Sequence, residues 1–156
     1  TASSSGLYGN FGQSNYSAAK MGLVGLMQTL ALEGARHGIQ VNCLAPTAAT
    51  QMLEGILPQE QLTLLAPERV SPAVLALVAE VAPTRTILCA GAGGFEVANV
   101  SLTQGIYLGD AELSGEAILE QWEALVDRRG EMVPDFGFAQ SRHELKKAGY
   151  ILEEAE

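Results

Sequence analysis

Apolar positions recur at three- and four-residue spacing over residues 14–37, where Ala18, Ala19, Leu23, Leu26, Met27, Leu30 and Ala31 share one face of a predicted helix. A stripe that wide predicts packing against a sheet. Gly22 and Gly25 would weaken an isolated helix but permit close approach of another element. Gly38 ends the pattern, with Arg36 and His37 in the last turn, where cations oppose the negative end of the helix. Residues 39–44, IQVNCL, then read as a short buried parallel strand. Over 57–67, Pro58 opens a short helical pattern that fits a mobile substrate lid and a core-capping helix equally well. Ser71 and Pro72 start a further helix whose predicted buried side is Val74, Leu75, Val78, Ala79 and Ala82, and Pro83 stops it. A last parallel strand is predicted over 86–89, and further β-structure over 95–102 and 105–108. A helix over 114–128 carries Ile118, Trp122, Leu125 and Val126 in one stripe, with Trp122 as a core anchor. Residues 141–156 read as a polar helix or frayed end. The succession of strands and helices predicts an α/β fold.

Composition narrows the partners. The 156 residues are 47% hydrophobic and 17% charged, which suits a packed core and not a disordered chain. A net charge of −9 argues against nucleic acid and against an anionic membrane, since both require a basic face. No apolar run approaches the ~20 residues of a membrane span. Cys43 and Cys89 lie in apolar, strand-like stretches and read as buried reduced thiols of a cytoplasmic type of protein. His37 and His143 have no ligand partner at metal-binding spacing, so both read as surface residues and no metal site is expected.

The chemistry concentrates in residues 1–20, TASSSGLYGNFGQSNYSAAK. Tyr16 and Lys20 are one helical turn apart, which brings phenol and ammonium into one neighbourhood, with Cβ atoms roughly 5–6 Å apart. A cation beside a phenol favours the phenolate and makes it a usable proton carrier. Ser3 adds a hydroxyl for a substrate oxygen, with Ser4 and Ser5 as the other candidates. A lone Tyr-x-x-x-Lys describes an ordinary surface pair just as well. The serine, the loop poor in bulky side chains and the later stretch 42–52, NCLAPTAATQM, set this one apart. Its part from Pro46 to Met52 would lie beyond the carboxyl end of the predicted 39–44 strand, where ligands of open α/β sheets collect.

This arrangement resembles the short-chain dehydrogenase/reductase family, whose catalytic serine, tyrosine and lysine match Ser3, Tyr16 and Lys20 one for one. The runs SGLYGNFGQSNYSAAKMGLVGL, LAPTAATQM and PERVSPAVLALV, with the helix around Trp122, resemble more narrowly the (3R)-hydroxyacyl-CoA dehydrogenase module of multifunctional enzymes type 2 and bacterial relatives. That likeness is strong up to about Val78. The resemblance implies a Rossmann-like doubly wound sheet and NAD or NADP as cofactor. It also implies that Lys20 holds the nicotinamide ribose beside Tyr16, and that Pro46, Thr47, Ala48 and Thr50 lie along the nicotinamide. Thr47 stands where a glycine usually follows the proline, and Gln51 where a threonine is usual. The resemblance further implies an acyl-CoA substrate, whose negative charge would need local attraction on so acidic a chain, and a homo-oligomer formed through the first helix. The location implied is cytoplasmic, or peroxisomal in a eukaryote. The alternatives are a carbonyl reductase of an acyl-carrier-protein thioester or a steroid, and a non-catalytic dimerisation fragment.

A dinucleotide fold also needs a glycine-rich turn between strand and helix to meet the pyrophosphate. Gly6, Gly9 and Gly12 follow no visible strand. AGAGG at 90–94 follows one, but position 96 is Glu and the chain runs on into β-rich VANVSL, so a tight turn is predicted. The sequence therefore reads as the C-terminal half of a dehydrogenase domain over 1–110 and a helical extension over 111–156. The glycine loop, the residue selecting NAD or NADP and the relay asparagine are expected in the other half. By themselves the 156 residues are expected to be inactive.

Overall fold

The computed structural model describes residues 1–50, 57–109 and 113–151. Gln51 and Met52 of the predicted nicotinamide stretch lie outside them, as do residues 152–156 of the predicted tail. The chain divides into two compact units, Thr1–Ala98 and Asn99–Glu156. The first contains α1 (Ser4–Tyr8), α2 (Ser14–Gly34), β1 (Cys43–Thr47), α3 (Gln59–Leu64), α4 (Ser71–Val78), β2 (Ile87–Gly91) and β3 (Gly94–Ala98). β1 and β2 run parallel, with Cys43 opposite Ile87 and Thr47 opposite Gly91, and β3 returns antiparallel along β2. The fold is the α/β, Rossmann-like arrangement, with helices on both faces of the sheet. On one face Val24 and Met27 of α2 pack with Ala2, Cys43, Ala45 and Ile87. On the other, Val70 and Ala73 pack on Ala90, Leu44 and Leu88. Alternate residues of each strand point to opposite faces, which is why both faces of these strands are apolar.

The first predicted strand is displaced. It spans Cys43–Thr47, and residues 39–42 lie outside it. Arg85 N still donates to Val41 O at 2.8 Å, but side chains take other backbone bonds that a longer ladder would have made. Thr84 Oγ1 accepts from Val41 N at 3.1 Å, while Asn42 donates to Pro83 O at 2.7 Å and accepts from Thr86 N at 3.0 Å. Pro83 has no N–H to offer, and Arg85 has φ 59°, so regular pairing stops there. Pro46 is tolerated within β1 for a related reason. Leu44 O accepts from Ala2 N at 2.8 Å, so Leu44 and Pro46 turn their backbone groups away from β2, and the missing donor falls outside the β1–β2 ladder.

Two predicted buried faces also differ. In α2 the buried residues are Val24, Met27, Ala31 and Gly34, while Leu26 is 53% exposed and Leu23 and Leu30 also face outward. In α4 only Ala73 is buried, and Val74, Leu75 and Val78 are exposed. Six of its eight residues are Ala, Val or Leu, so periodicity cannot choose the inner face, and the small Ala73 is what fits against Ala90. The AGAGG stretch forms a hairpin turn, with Ala92 at φ 52° and Gly93 at φ 86°, the left-handed pair that a two-residue β-hairpin requires. The predicted β-structure over 95–102 ends at Ala98, and residues 105–108 form no strand.

The second unit contains α5 (Gly115–Glu120), α6 (Trp122–Leu125) and α7 (Phe138–Lys147), with an antiparallel bridge between Leu102 and Met132. Ser114 caps α5 by accepting from Ala117 N at 3.0 Å, but the predicted continuous helix breaks at Gln121. Trp122 is 51% exposed, and Ile118 and Val126 are also exposed, so the stripe is no buried anchor within its unit. His143 and Lys147, one turn apart on α7, reach the carbonyls of Gln104 and Ile106. Arg128 and Arg129 hold the carboxyls of Glu131 and Asp127 below their ordinary range through exposed charge-assisted hydrogen bonds.

Candidate active site

Ser3 has extended backbone and caps α1, its Oγ accepting from Ser5 N at 3.2 Å. The hydroxyl proton remains available for another acceptor. The short α1 packs on α2 at Gly6. A Cβ there would fall 2.9 Å from Lys20 Cβ and 3.0 Å from Met21 N, so only glycine lets the two helices meet. Gly9 and Gly12, at φ 77° and 76°, turn the chain from one helix into the other.

Tyr16 stands in the first turn of α2, 45% exposed, and its hydroxyl has no hydrogen-bond partner among the described residues. Lys20 lies one turn on, with Nζ 5.6 Å from the centre of the Tyr16 ring. The same Nζ donates to Thr1 O at 3.0 Å. The lysine is therefore held between the tyrosine and the segment that carries Ser3, with two of its N–H donors unspent. Tyr16 and Lys20 are brought together directly, and Ser3 enters through its own segment, two residues after the carbonyl that Lys20 grips.

The nicotinamide candidates form a separate group. Pro46 and Thr47 end β1, and Ala48 and Thr50 follow them. A Cβ on Gly91 would fall 2.9 Å from Thr47 Cβ, so a side chain at 91 would push the end of β1 away. Ala49 N donates to Leu65 O at 2.7 Å, fastening this loop to the residue that ends α3. Among the described residues, no glycine-rich turn joins a strand to a helix N-terminus. The thiols stand apart from the chemistry. Burial pushes Cys43 up, and burial together with the Glu96 carboxylate pushes Cys89 up, against a hydrogen bond from Tyr8. Both are poor nucleophiles at neutral pH.

Three contributions were not read from the sequence: the helix contact at Gly6, the Thr1 carbonyl and the close approach at Gly91. Gly6 is legible afterwards as a small residue between two helices. A backbone carbonyl carries no residue-specific signal, and a close approach across strands depends on register.

Residues 1–61 match the family described as short chain dehydrogenase. The chain is 42% identical over 153 residues to the peroxisomal hydratase-dehydrogenase-epimerase of Saccharomyces cerevisiae, an alignment covering 96% of this chain and 16% of that protein. It is 43% identical over 135 residues to a short-chain type dehydrogenase/reductase of Mycobacterium tuberculosis, covering 86% of this chain and 47% of the relative. The solved structure of full-length peroxisomal multifunctional enzyme type 2 from Drosophila melanogaster superposes with a TM-score of 0.79 at 30% identity, over 94% of this chain and 27% of that one. Residues 1–61 thus carry short-chain dehydrogenase sequence, and the chain as a whole is similar to the short-chain dehydrogenase/reductase family. It spans less than half the length of each of these relatives, and within the family it resembles the dehydrogenase module of the type 2 multifunctional enzymes.

Proposed function

We propose that the chain supplies the catalytic half of a (3R)-hydroxyacyl-CoA dehydrogenase that uses NAD or NADP. The observation that carries this is the Lys20 ammonium, pinned by Thr1 O at 3.0 Å and seated 5.6 Å from the Tyr16 ring centre, in a chain similar to multifunctional peroxisomal enzymes. When bound, the nicotinamide cofactor supplies the acceptor for the hydride leaving the carbinol carbon. The chain's own residues handle the proton and the positioning. Tyr16, exposed and without a hydrogen-bond partner among the described residues, acts as the phenolate and takes the proton of the substrate hydroxyl at its oxygen. Ser3 donates its hydroxyl proton to the same substrate oxygen and orients it. Lys20 spends its two remaining N–H donors on the ribose hydroxyls, and Pro46, Thr47, Ala48 and Thr50 flank the nicotinamide. This donor set fits the nicotinamide end of a dinucleotide. The described residues offer no cradle for its pyrophosphate. The outward-facing Leu23, Leu26 and Leu30 support self-association through α2. The location that goes with this reading is the peroxisome in a eukaryote and the cytoplasm otherwise.

The test is reduction of NAD and NADP by the full-length protein containing these residues, against a panel of (3R)- and (3S)-hydroxyacyl-CoA esters, acyl-carrier-protein thioesters and hydroxysteroids. Oxidation of the (3R) CoA esters is expected. Tyr16→Phe should lower turnover by about a hundredfold or more while cofactor affinity stays within a few-fold, because the ring still packs but the oxygen that receives the substrate's proton is gone. A clear preference for the carrier-protein thioesters or steroids would overturn the substrate, and an active phenylalanine variant would overturn the role of Tyr16.

A further inference from the structure

We propose that Arg69 is a specificity residue that pairs with a phosphate of the CoA nucleotide, an inference that rests on the acyl-CoA reading above. Arg69 ends the 3-10 turn Pro67–Arg69, just before α4. Its Nη1 stands 3.9 Å from where a Cβ on Gly93 would be, so the guanidinium lies against the hairpin turn after β2. That turn leaves the carboxyl end of the parallel pair, two residues beyond Gly91, which is opposite Thr47. Ligands of α/β sheets gather at this end.

The first unit has four lysines and arginines, Lys20, Arg36, Arg69 and Arg85. Arg36 follows α2, and Arg85, bonded to Gln28, precedes β2, so both lie towards the amino ends of the strands. Lys20 is held by Thr1 beside Tyr16, where the proposed function gives its remaining donors to the ribose. Arg69 is exposed and, among the described residues, makes no side-chain hydrogen bond or ion pair, not even with its neighbour Glu68 or with Glu96 on β3. An unspent planar fork of donors matches a phosphate in two-point geometry, and a lysine would not. On a chain of net charge −9, an anionic substrate needs such a local cation. The pantetheine arm of CoA is long, so a phosphate contact at the rim is compatible with a thioester lying near Tyr16.

The experiment compares Arg69→Ala and Arg69→Lys with wild type in the full-length protein, using one (3R)-hydroxyacyl group as its CoA ester and as its pantetheine thioester, which lacks the nucleotide phosphates. Arg69→Ala should raise KM for the CoA ester about five- to tenfold with little change in kcat, while KM for the pantetheine thioester and for the nicotinamide cofactor stays put. Arg69→Lys should recover only part of the loss, and added salt should narrow the difference. Equal losses on both thioesters would mean a structural role and overturn the contact. An unmoved KM for the CoA ester, or a raised KM for the cofactor instead, would overturn it too. A wild type that oxidises neither thioester defeats the acyl-CoA reading itself, whereas one that handles both with the same KM defeats only the Arg69 contact.

Discussion

The Lys20 side chain is fixed from two sides, by the Thr1 carbonyl that accepts from its Nζ and by Gly6 packed against its Cβ. Removing the charge should therefore do two things at once. Lys20→Met is expected to weaken cofactor binding and to lower kcat, measured by fluorescence titration and steady-state rates on the full-length protein, and normal cofactor affinity would contradict the ribose role. Gly6→Ala tests the positioning without touching a reacting group. Its methyl meets the backbone of Met21 as well as Lys20, so α1 must shift, at a cost of about 1–3 kcal/mol in thermal unfolding and with a loss of rate. An alanine variant with full activity and unchanged melting would show that the close approach does not matter.

Among the elements, α2 has the most to explain. Of its buried residues, Val24 and Met27 pack on the sheet and Gly34 lies against Ile39, while Leu23, Leu26 and Leu30 remain outside. Exposed leucines on adjacent turns of a 21-residue helix are an association surface unless something covers them. Leu26→Glu with Leu30→Glu should shift the full-length protein to a smaller species in sedimentation, because burying two carboxylates in an apolar contact is strongly unfavourable. An unchanged sedimentation coefficient would remove α2 from the interface. The helix itself should survive, since glutamate is a good helix former and neither position reaches the core.

For the molecule as a whole, the limit on activity is geometric. Hydride transfer needs the nicotinamide held against the substrate carbon, and a well-placed tyrosine cannot supply that by itself. Residues 1–156 expressed alone are expected to show no NAD- or NADP-dependent turnover, because their described part offers no glycine-rich turn for the pyrophosphate. They should also self-associate. β3 presents an open edge with Phe95 and Val97 exposed, and α2 and α4 add apolar surface. Saturable micromolar binding of NADH with turnover by this piece would overturn the expectation and reveal a cofactor site elsewhere in it.

Local chemistry could be read from the chain alone wherever it depends on neighbours in sequence. Tyr16 and Lys20 meet because four residues make about one helical turn, Gly38, in the left-handed conformation, ends the 3-10 turn Ala35–His37 that follows α2, and the AGAGG stretch turns tightly because Ala92 and Gly93 adopt positive φ. The α/β class followed from the same kind of information, as apolar spacing changed from helical to strand-like. What required the tertiary structure was each choice between nearly equal faces or registers. α4 is apolar all round, so only contact with Ala90 selects Ala73 as its inner residue. The start of β1 was decided by Asn42, whose side chain takes Pro83 O and Thr86 N, and by Thr84, whose hydroxyl takes Val41 N. Thr1 holds Lys20, and Gly91 admits Thr47, only because segments far apart in the chain lie side by side, and periodicity within one segment carries no record of its neighbour across the sheet.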